Sequence, residues 1–167
     1  FKESLDPNLA GAVSLYVKDT IKYSKYRKKI QVISSDDFIG KSKIFRNKNY
    51  IKNFCNKYAS HKIKIIEIHN RPEYLNHLKK FFPNAKINII FHNDPLTIRG
   101  SIKKNEREKI ITDSSKVIFI SRWIQQRFFT EFKNSNLSNT TIIPHGVDKI
   151  NNIKMEKKKK NIFFVFF

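Results

Sequence analysis

Two His-Asn pairs, His69-Asn70 and His92-Asn93, are the residues of this chain best suited to chemistry. Each stands where an apolar run stops abruptly, Ile63–Ile68 for the first and Ile87–Phe91 for the second. A histidine at a strand end can act as a general base, a donor to an anion or a metal ligand. Metal binding is disfavoured, because no HxH, HExxH or CxxC spacing occurs and Cys55 stands alone. There is no GxSxG elbow for a serine hydrolase and no GxxxxGK[ST] loop for a nucleotide phosphate. Asp94, two residues after His92, can orient that imidazole, bind a hydroxyl, or cap the turn at Pro95. Each histidine can equally be a loop cap that bonds neighbouring backbone. His61 and His77 read as ordinary surface positions.

The elements that must hold the pairs form a βαβ unit of about 30 residues. Between the two apolar runs, Arg71–Phe82 has helix signals. Pro72 suits a first helical position, and Glu73 suits the positive end of the helix dipole. Tyr74, Leu75, Leu78 and Phe82 share one face, with Lys79 and Lys80 opposite. The near-continuous Ile and Phe runs predict strands buried on both faces, as parallel sheets require. Both His-Asn pairs then lie at the carboxyl edge of the sheet, where open α/β folds bind ligands. A third run, Val117–Ile120, stops at Ser121, a suitable N-cap for a helix over Arg122–Lys133 with Trp123, Ile124, Phe128 and Phe132 inward. The predicted fold class is α/β, a Rossmann-like open parallel sheet with helices on both faces.

Elsewhere, Val13, Tyr16, Val17, Thr20 and Ile21 share a face of a helix running from Ala12 to near Tyr23. Gly11 at its entrance lets a ligand approach the backbone, and a helix N-terminus attracts anions. A plain loop glycine would read the same way. Ile30–Ser34 is a predicted strand and Ser35–Lys43 a polar loop. Tyr50–Tyr58 is a predicted helix with Ile51, Phe54, Cys55 and Tyr58 inward. Lys104–Thr112 is a helix with Ile110 and Ile111 inward, Thr140–Ile143 a strand, and Ile150–Lys160 a polar linker ending in four lysines. Ile162–Phe167 is a buried strand. A chain ending on six apolar residues, with no strand before Ala12, is expected to be a fragment of a longer protein.

With 167 residues, 40% of them hydrophobic, the chain can bury one core and is not disordered. No apolar run approaches the ~20 residues of a membrane span. The start, Phe1-Lys2-Glu3, has no secretory pattern, and a single cysteine fits a reducing cytoplasm. The net charge of +20 has two readings. Lysine is either the default surface residue or an attractor of phosphates on nucleic acid, anionic lipid or a sugar nucleotide. Nucleic-acid binding calls for basic residues interleaved with exposed aromatics. Here the aromatics fall on predicted inward faces while the lysines scatter, so nucleic acid is not an expected partner.

The order strand-IEIHNRP-helix-strand-FHNDP, helix-strand-FISRW-helix, strand-IPHGVD, basic linker and strand resembles the N-terminal domain of family 4 glycosyltransferases of the GT-B type. The resemblance implies a retaining enzyme that transfers a sugar from a nucleotide-sugar donor to a cell-envelope glycan such as lipopolysaccharide, or to a lipid-linked acceptor. No metal or other cofactor is implied. Residues 1–149 would be the acceptor-side domain, and 150–167 the linker and first strand of a truncated donor-binding domain. His92 matches the family's histidine near the reacting centre and is the expected catalytic residue. His69, Asn70, Arg71, Asn93, Asp94 and Ser121 would bind the acceptor. Gly11 and Ala12, in a stretch resembling the family's glycine-bearing loop, would face the donor. The family usually has asparagine where His145 stands. Its E-x7-E acids belong to the second domain, so this chain alone is expected to be inactive. A cytoplasmic location is implied, with peripheral contact at the inner face of the membrane. The alternative is a basic α/β module that binds nucleic acid or another anion without catalysis, and a Rossmann-like cofactor enzyme lacks its glycine fingerprint.

Overall fold

The computed structural model describes residues 11–33, 50–133 and 138–146. The stretch before Gly11, the polar segment Ser35–Lys43, the expected domain boundary, the basic segment expected to be a linker and the strand expected over Ile162–Phe167 lie outside these residues. The apolar runs become four strands, β1 (Ile65–His69), β2 (Lys86–Phe91), β3 (Lys116–Phe119) and β4 (Thr140–Ile142). They form one sheet in the order β1-β2-β3-β4, and every pairing is parallel. This is the predicted α/β class with an open parallel sheet.

Helices α1 (Ala12–Tyr23) and α2 (Tyr50–Tyr58) precede the sheet, and α3 (Leu75–Phe81), α4 (Lys104–Asp113) and α5 (Arg122–Phe128) form its crossovers. Right-handed crossovers that always advance in one direction put their helices on one face. Accordingly Leu75, Leu78, Ile110, Ile124 and Phe128 share one core with Cys55 and Tyr58 of α2. The strand register sends Ile68, Ile87, Ile89, Phe91, Val117 and Phe119 into that core. Phe91, Phe119 and Phe128 meet there with ring centroids 5.2–6.0 Å apart. Such pairs add about 0.5–1.5 kcal/mol each beyond the area they bury.

Burial on both faces holds for the central strand, where Ile89 and Ile90 point opposite ways and both are buried. It does not hold for β1, where Ile65 is 58% exposed and Glu67 faces solvent beside it. The strand IIEIH alternates through its glutamate, as a half-solvated strand does. None of the α1 residues belongs to the main core. That helix meets the carboxyl edge through Tyr16.

Several local expectations are corrected. Residues 30–33 enter no strand of the described sheet. Gln31 instead donates to the Tyr58 hydroxyl at 2.6 Å, and Ile33 packs on the core; Ser34 lies outside the described residues. The helix expected over Arg71–Phe82 is a 3-10 turn, Pro72–Tyr74, followed by α3. Helix α5 stops at Phe128, and Glu131 turns left-handed at φ 74°. Trp123 is 55% exposed rather than inward. Ile124 and Phe128 are four apart and define the buried stripe, and a neighbouring residue is rotated roughly 100° from it. His77 is half-buried against Phe81, at 5.0 Å between centroids, and its buried Nε2 has no hydrogen-bond partner among the described residues.

Gly100 closes the loop before α4 with φ +88°, and a Cβ there would lie 2.8 Å from the Glu73 backbone nitrogen. Backbone cannot yield as a side-chain tip can. Gly100→Ala is therefore expected to cost at least about 2 kcal/mol in urea unfolding. Gly146→Ala is the control, since a Cβ there meets nothing within 4 Å. Equal midpoints for the two variants would refute the close approach.

Candidate functional site: a histidine chain at the sheet edge

Parallel pairing places the ends of β1, β2 and β3 on one edge, as the polar stops predict. Asn70 ties the first two ends together. It adopts φ 53°, a left-handed conformation that asparagine tolerates. Its N–H donates to Ile90 O at 3.0 Å, and its Oδ1 accepts from the His92 N–H at 2.8 Å. Asn70 thus sets where His92 leaves its strand.

The imidazole of His92 is 8% exposed and uses both nitrogens. Its Nε2 lies 2.9 Å from His69 Nδ1, and its Nδ1 lies 3.0 Å from His145 Nε2. Tyr16 of α1 stacks on His145, with centroids 4.1 Å apart and planes 21° from parallel, and meets His92 edge-on at 4.9 Å. His145 itself is exposed. Burial lowers the His92 pKa to about 3, helped by the neighbouring His69 and His145. Burial alone lowers His69 to about 4 and also depresses His145. The chain is therefore neutral at pH 7. Glu67 Oε2 stands 4.0 Å from His69 Nε2.

The predicted site residues divide into two groups. His69, Asn70 and His92 are brought together, and Gly11 and Ala12 open the helix whose next turn carries Tyr16. Gly11 has φ −83°, which any residue adopts. Asn93 is exposed at the same edge, and Arg71 is half-buried before the 3-10 turn. Asp94 does not face His92. One oxygen accepts from the Leu96 N–H at 3.0 Å and the other from Arg127 of α5 at 3.0 Å. Burial raises its pKa, but the bonds from Arg127 and Leu96 and the guanidinium charge outweigh this and hold it below the usual range. Ser121 Oγ is engaged as the cap of α5, accepting from the Ile124 N–H at 3.2 Å. A groove of about 260 Å³ beside α3 and α4, lined by Glu73, Asn76, Arg99 and Lys109 among others, shares no residue with the histidine chain.

Sequence reasoning missed Tyr16 and His145 as site residues. The signal for His145 was its departure from the asparagine of the IPHGVD-like segment. Tyr16 was read as one of several inward helix residues. The expected separation of aromatics from lysines also fails at the end of α1. There Tyr23 and Tyr26 are 61% and 57% exposed, with Lys22 and Lys25 within 4.7 and 5.1 Å of their rings. Among the described residues no cluster of three or more His, Cys, Asp or Glu is arranged to hold a metal ion. The three histidines face one another in pairs rather than converging on a point. No described helix is long and apolar enough to cross a membrane.

No protein-family model, curated protein or solved structure matches the chain.

The depressed histidines make stability pH-dependent with a definite sign. Unfolded, each histidine protonates near pH 6.5, whereas folded His69 and His92 resist protonation down to about 4 and about 3. Between those values the unfolded chain binds more protons, so stability falls as pH falls. The expected loss from pH 7 to pH 4 is on the order of a few kcal/mol, and His92→Ala should flatten it. Equal slopes for wild type and variant would contradict the buried neutral chain.

Proposed function

We propose that the chain is the acceptor-side domain of a nucleotide-sugar-dependent glycosyltransferase, of the retaining family 4, GT-B kind. The observation that supports this most is His92, placed with His69 and His145 at the carboxyl edge of a parallel sheet, where open α/β folds bind ligands, although the exposed His145 departs from the family's usual asparagine. A hydroxyl-bearing acceptor bound against that edge meets a neutral base held in place from behind. The opening turns of α1, with Gly11 and Ala12, would face the donor diphosphate, whose developing charge a helix N-terminus stabilises. Asn93 and Arg71 would flank the acceptor, while Asn70 and Asp94 position the loop that carries His92. The donor is a substrate, and no cofactor is part of the proposal.

The test is to incubate the intact protein with a panel of nucleotide sugars and a glycolipid extract from cell envelopes. Nucleoside diphosphate should be released only when donor and acceptor are both present. Absence of acceptor-dependent release with every donor overturns the reading.

The proposed setting is cytoplasmic, with the acceptor presented at an anionic membrane surface. Exposed Tyr23 and Tyr26 lie in a segment of five basic residues, Lys22, Lys25, Arg27, Lys28 and Lys29. Tyrosines suit the headgroup region, and each basic residue near an anionic surface contributes roughly 1 kcal/mol. Sedimentation with anionic but not neutral vesicles is expected, weakened by Tyr23→Ser/Tyr26→Ser and by high salt. Equal binding to both vesicle types would exclude the electrostatic account. Preferential binding to single-stranded nucleic acid over anionic vesicles would favour the anion-binding module instead.

A further inference from the structure

The two imidazole–imidazole hydrogen bonds admit two consistent arrangements of protons. A neutral imidazole has one donor nitrogen and one acceptor nitrogen, so fixing one ring fixes the next. In the first arrangement every ring is protonated on Nδ1: His69 donates to His92 Nε2, and His92 donates to His145 Nε2. In the second every ring is protonated on Nε2: His145 donates to His92 Nδ1, and His92 donates to His69 Nδ1. Distances alone do not separate them. Glu67 does. It lies two residues before His69 on β1, so both side chains leave the same face. Its carboxylate stands 4.0 Å from His69 Nε2. The first arrangement would turn an imidazole lone pair toward that negative charge, and the second turns an N–H toward it.

We propose that Glu67, His69, His92 and His145 form a proton relay of fixed direction, each imidazole carrying its proton on Nε2, with the exposed His145 Nδ1 as the port that takes the proton of a substrate hydroxyl. The groups facing the relay are Glu67 and His69 from β1, His92 from the end of β2, His145 from beyond β4, and Tyr16 from α1.

In the transfer step the acceptor hydroxyl gives its proton to His145 Nδ1. His145 passes its Nε2 proton to His92 Nδ1, His92 passes its own to His69 Nδ1, and His69 releases its Nε2 proton to Glu67. The acceptor oxygen forms the bond to the anomeric carbon as the bond to the diphosphate breaks, and the diphosphate leaves with that electron pair. The imidazoles end neutral, all protonated on Nδ1, with one proton on the Glu67 carboxyl. After product leaves, the path runs backwards and releases the proton to water at His145. The exposed Glu67 side chain has room to close the last ångström of the 4.0 Å gap. The identity of the hydroxyl rests on the glycosyltransferase reading, whereas the order of the protons does not.

The test is long-range proton–nitrogen correlation on the chain labelled with nitrogen-15 in histidine, at pH 7. His69, His92 and His145 should each appear as the Nε2–H tautomer, with His61 as the exposed reference signal. Glu67→Gln removes the charge that sets the direction without touching the core, and should replace the uniform pattern by a mixture of both tautomers. Nδ1–H signals from any of the three in the wild type overturn the relay, as does an unchanged pattern in Glu67→Gln. A chain with ordered tautomers but no sugar transfer in the nucleotide-sugar assay would leave the relay standing and remove the glycosyltransferase reading alone.

Discussion

Arg107→Met is expected to lower stability by about 2–4 kcal/mol, through the carbonyls it leaves without a donor. Arg107 is fully buried on α4. Its guanidinium donates to Ser101 O at 3.2 Å, Ile102 O at 2.6 Å, Thr130 O at 2.8 Å and Glu131 at 2.9 Å. The Glu131 pairing contributes little, because that side chain is 62% exposed and water screens it. The carbonyls decide the outcome. Methionine fills much of the volume but leaves those acceptors without their donor. The Ser101 bond is buried and the Ile102 and Thr130 bonds are part-buried, and an unsatisfied buried group costs about 1–3 kcal/mol. The consequence reaches the site. Ser101 donates its hydroxyl to Pro95 O at 2.7 Å, so Arg107 braces the loop that follows His92-Asn93-Asp94. Chemical denaturation of Arg107→Met and Glu131→Gln separates the contributions: the first should lose several kcal/mol and the second less than about 1 kcal/mol. Similar small losses for both would show that the carbonyls find water instead.

The part of the fold legible in the sequence is the part that local patterns dictate. The runs ending at His69, Phe91 and Ile120 had to be strands, though β1 is half-solvated, and Pro72 and Ser121 had to begin helical turns, because few other conformations suit those residues. Their parallel pairing followed from the helical segments between them, and with it the shared edge of His69 and His92. What the sequence hid depends on distance along the chain. His92 meets His145 across 53 residues and His69 across 23, and no local period records either contact. The same blindness misread Asp94. Beside His92 in sequence, it points away to Arg127 of α5, 33 residues on. Arg107 was invisible as a core residue because arginine is almost never fully buried unless its donors are paired, and its partners are backbone carbonyls of distant loops. His77 and Trp123 were misplaced because a helical period locates a stripe to within about one residue, which is enough to exchange the inside for the outside.

On the proposed glycosyltransferase reading, His92→Ala is expected to lower kcat by about 100-fold or more in the intact protein while changing KM little. In the proposed relay buried His92 reaches the acceptor through His145, so the effect runs through its neighbour. Without it, His145 Nε2 has no acceptor behind it, and the proton taken at Nδ1 has nowhere to go. The loss falls on the transition state rather than on binding, which is why kcat carries it. The variant also loses two hydrogen bonds and leaves a cavity where a side chain was 8% exposed, so stability should fall by about 1–3 kcal/mol. That cost would blur the result if alanine were the sole substitution. His92→Gln removes the ambiguity. Glutamine can donate to one neighbour and accept from the other, and so keeps the packing, but it cannot take a proton on one atom while releasing one from another. A purely positional role predicts that glutamine restores turnover, whereas the relay predicts stability near wild type with kcat as low as in alanine. Wild-type kcat should also fall at acid pH as the exposed His145 is protonated. His61→Ala serves as the control because His61 is exposed and its ring meets Tyr58 edge-on at 5.1 Å. Half-buried His77 does not qualify. Turnover in His92→Gln equal to wild type would reduce His92 to a spacer between two loops, and full turnover in His92→Ala would remove the histidine chain from the chemistry altogether.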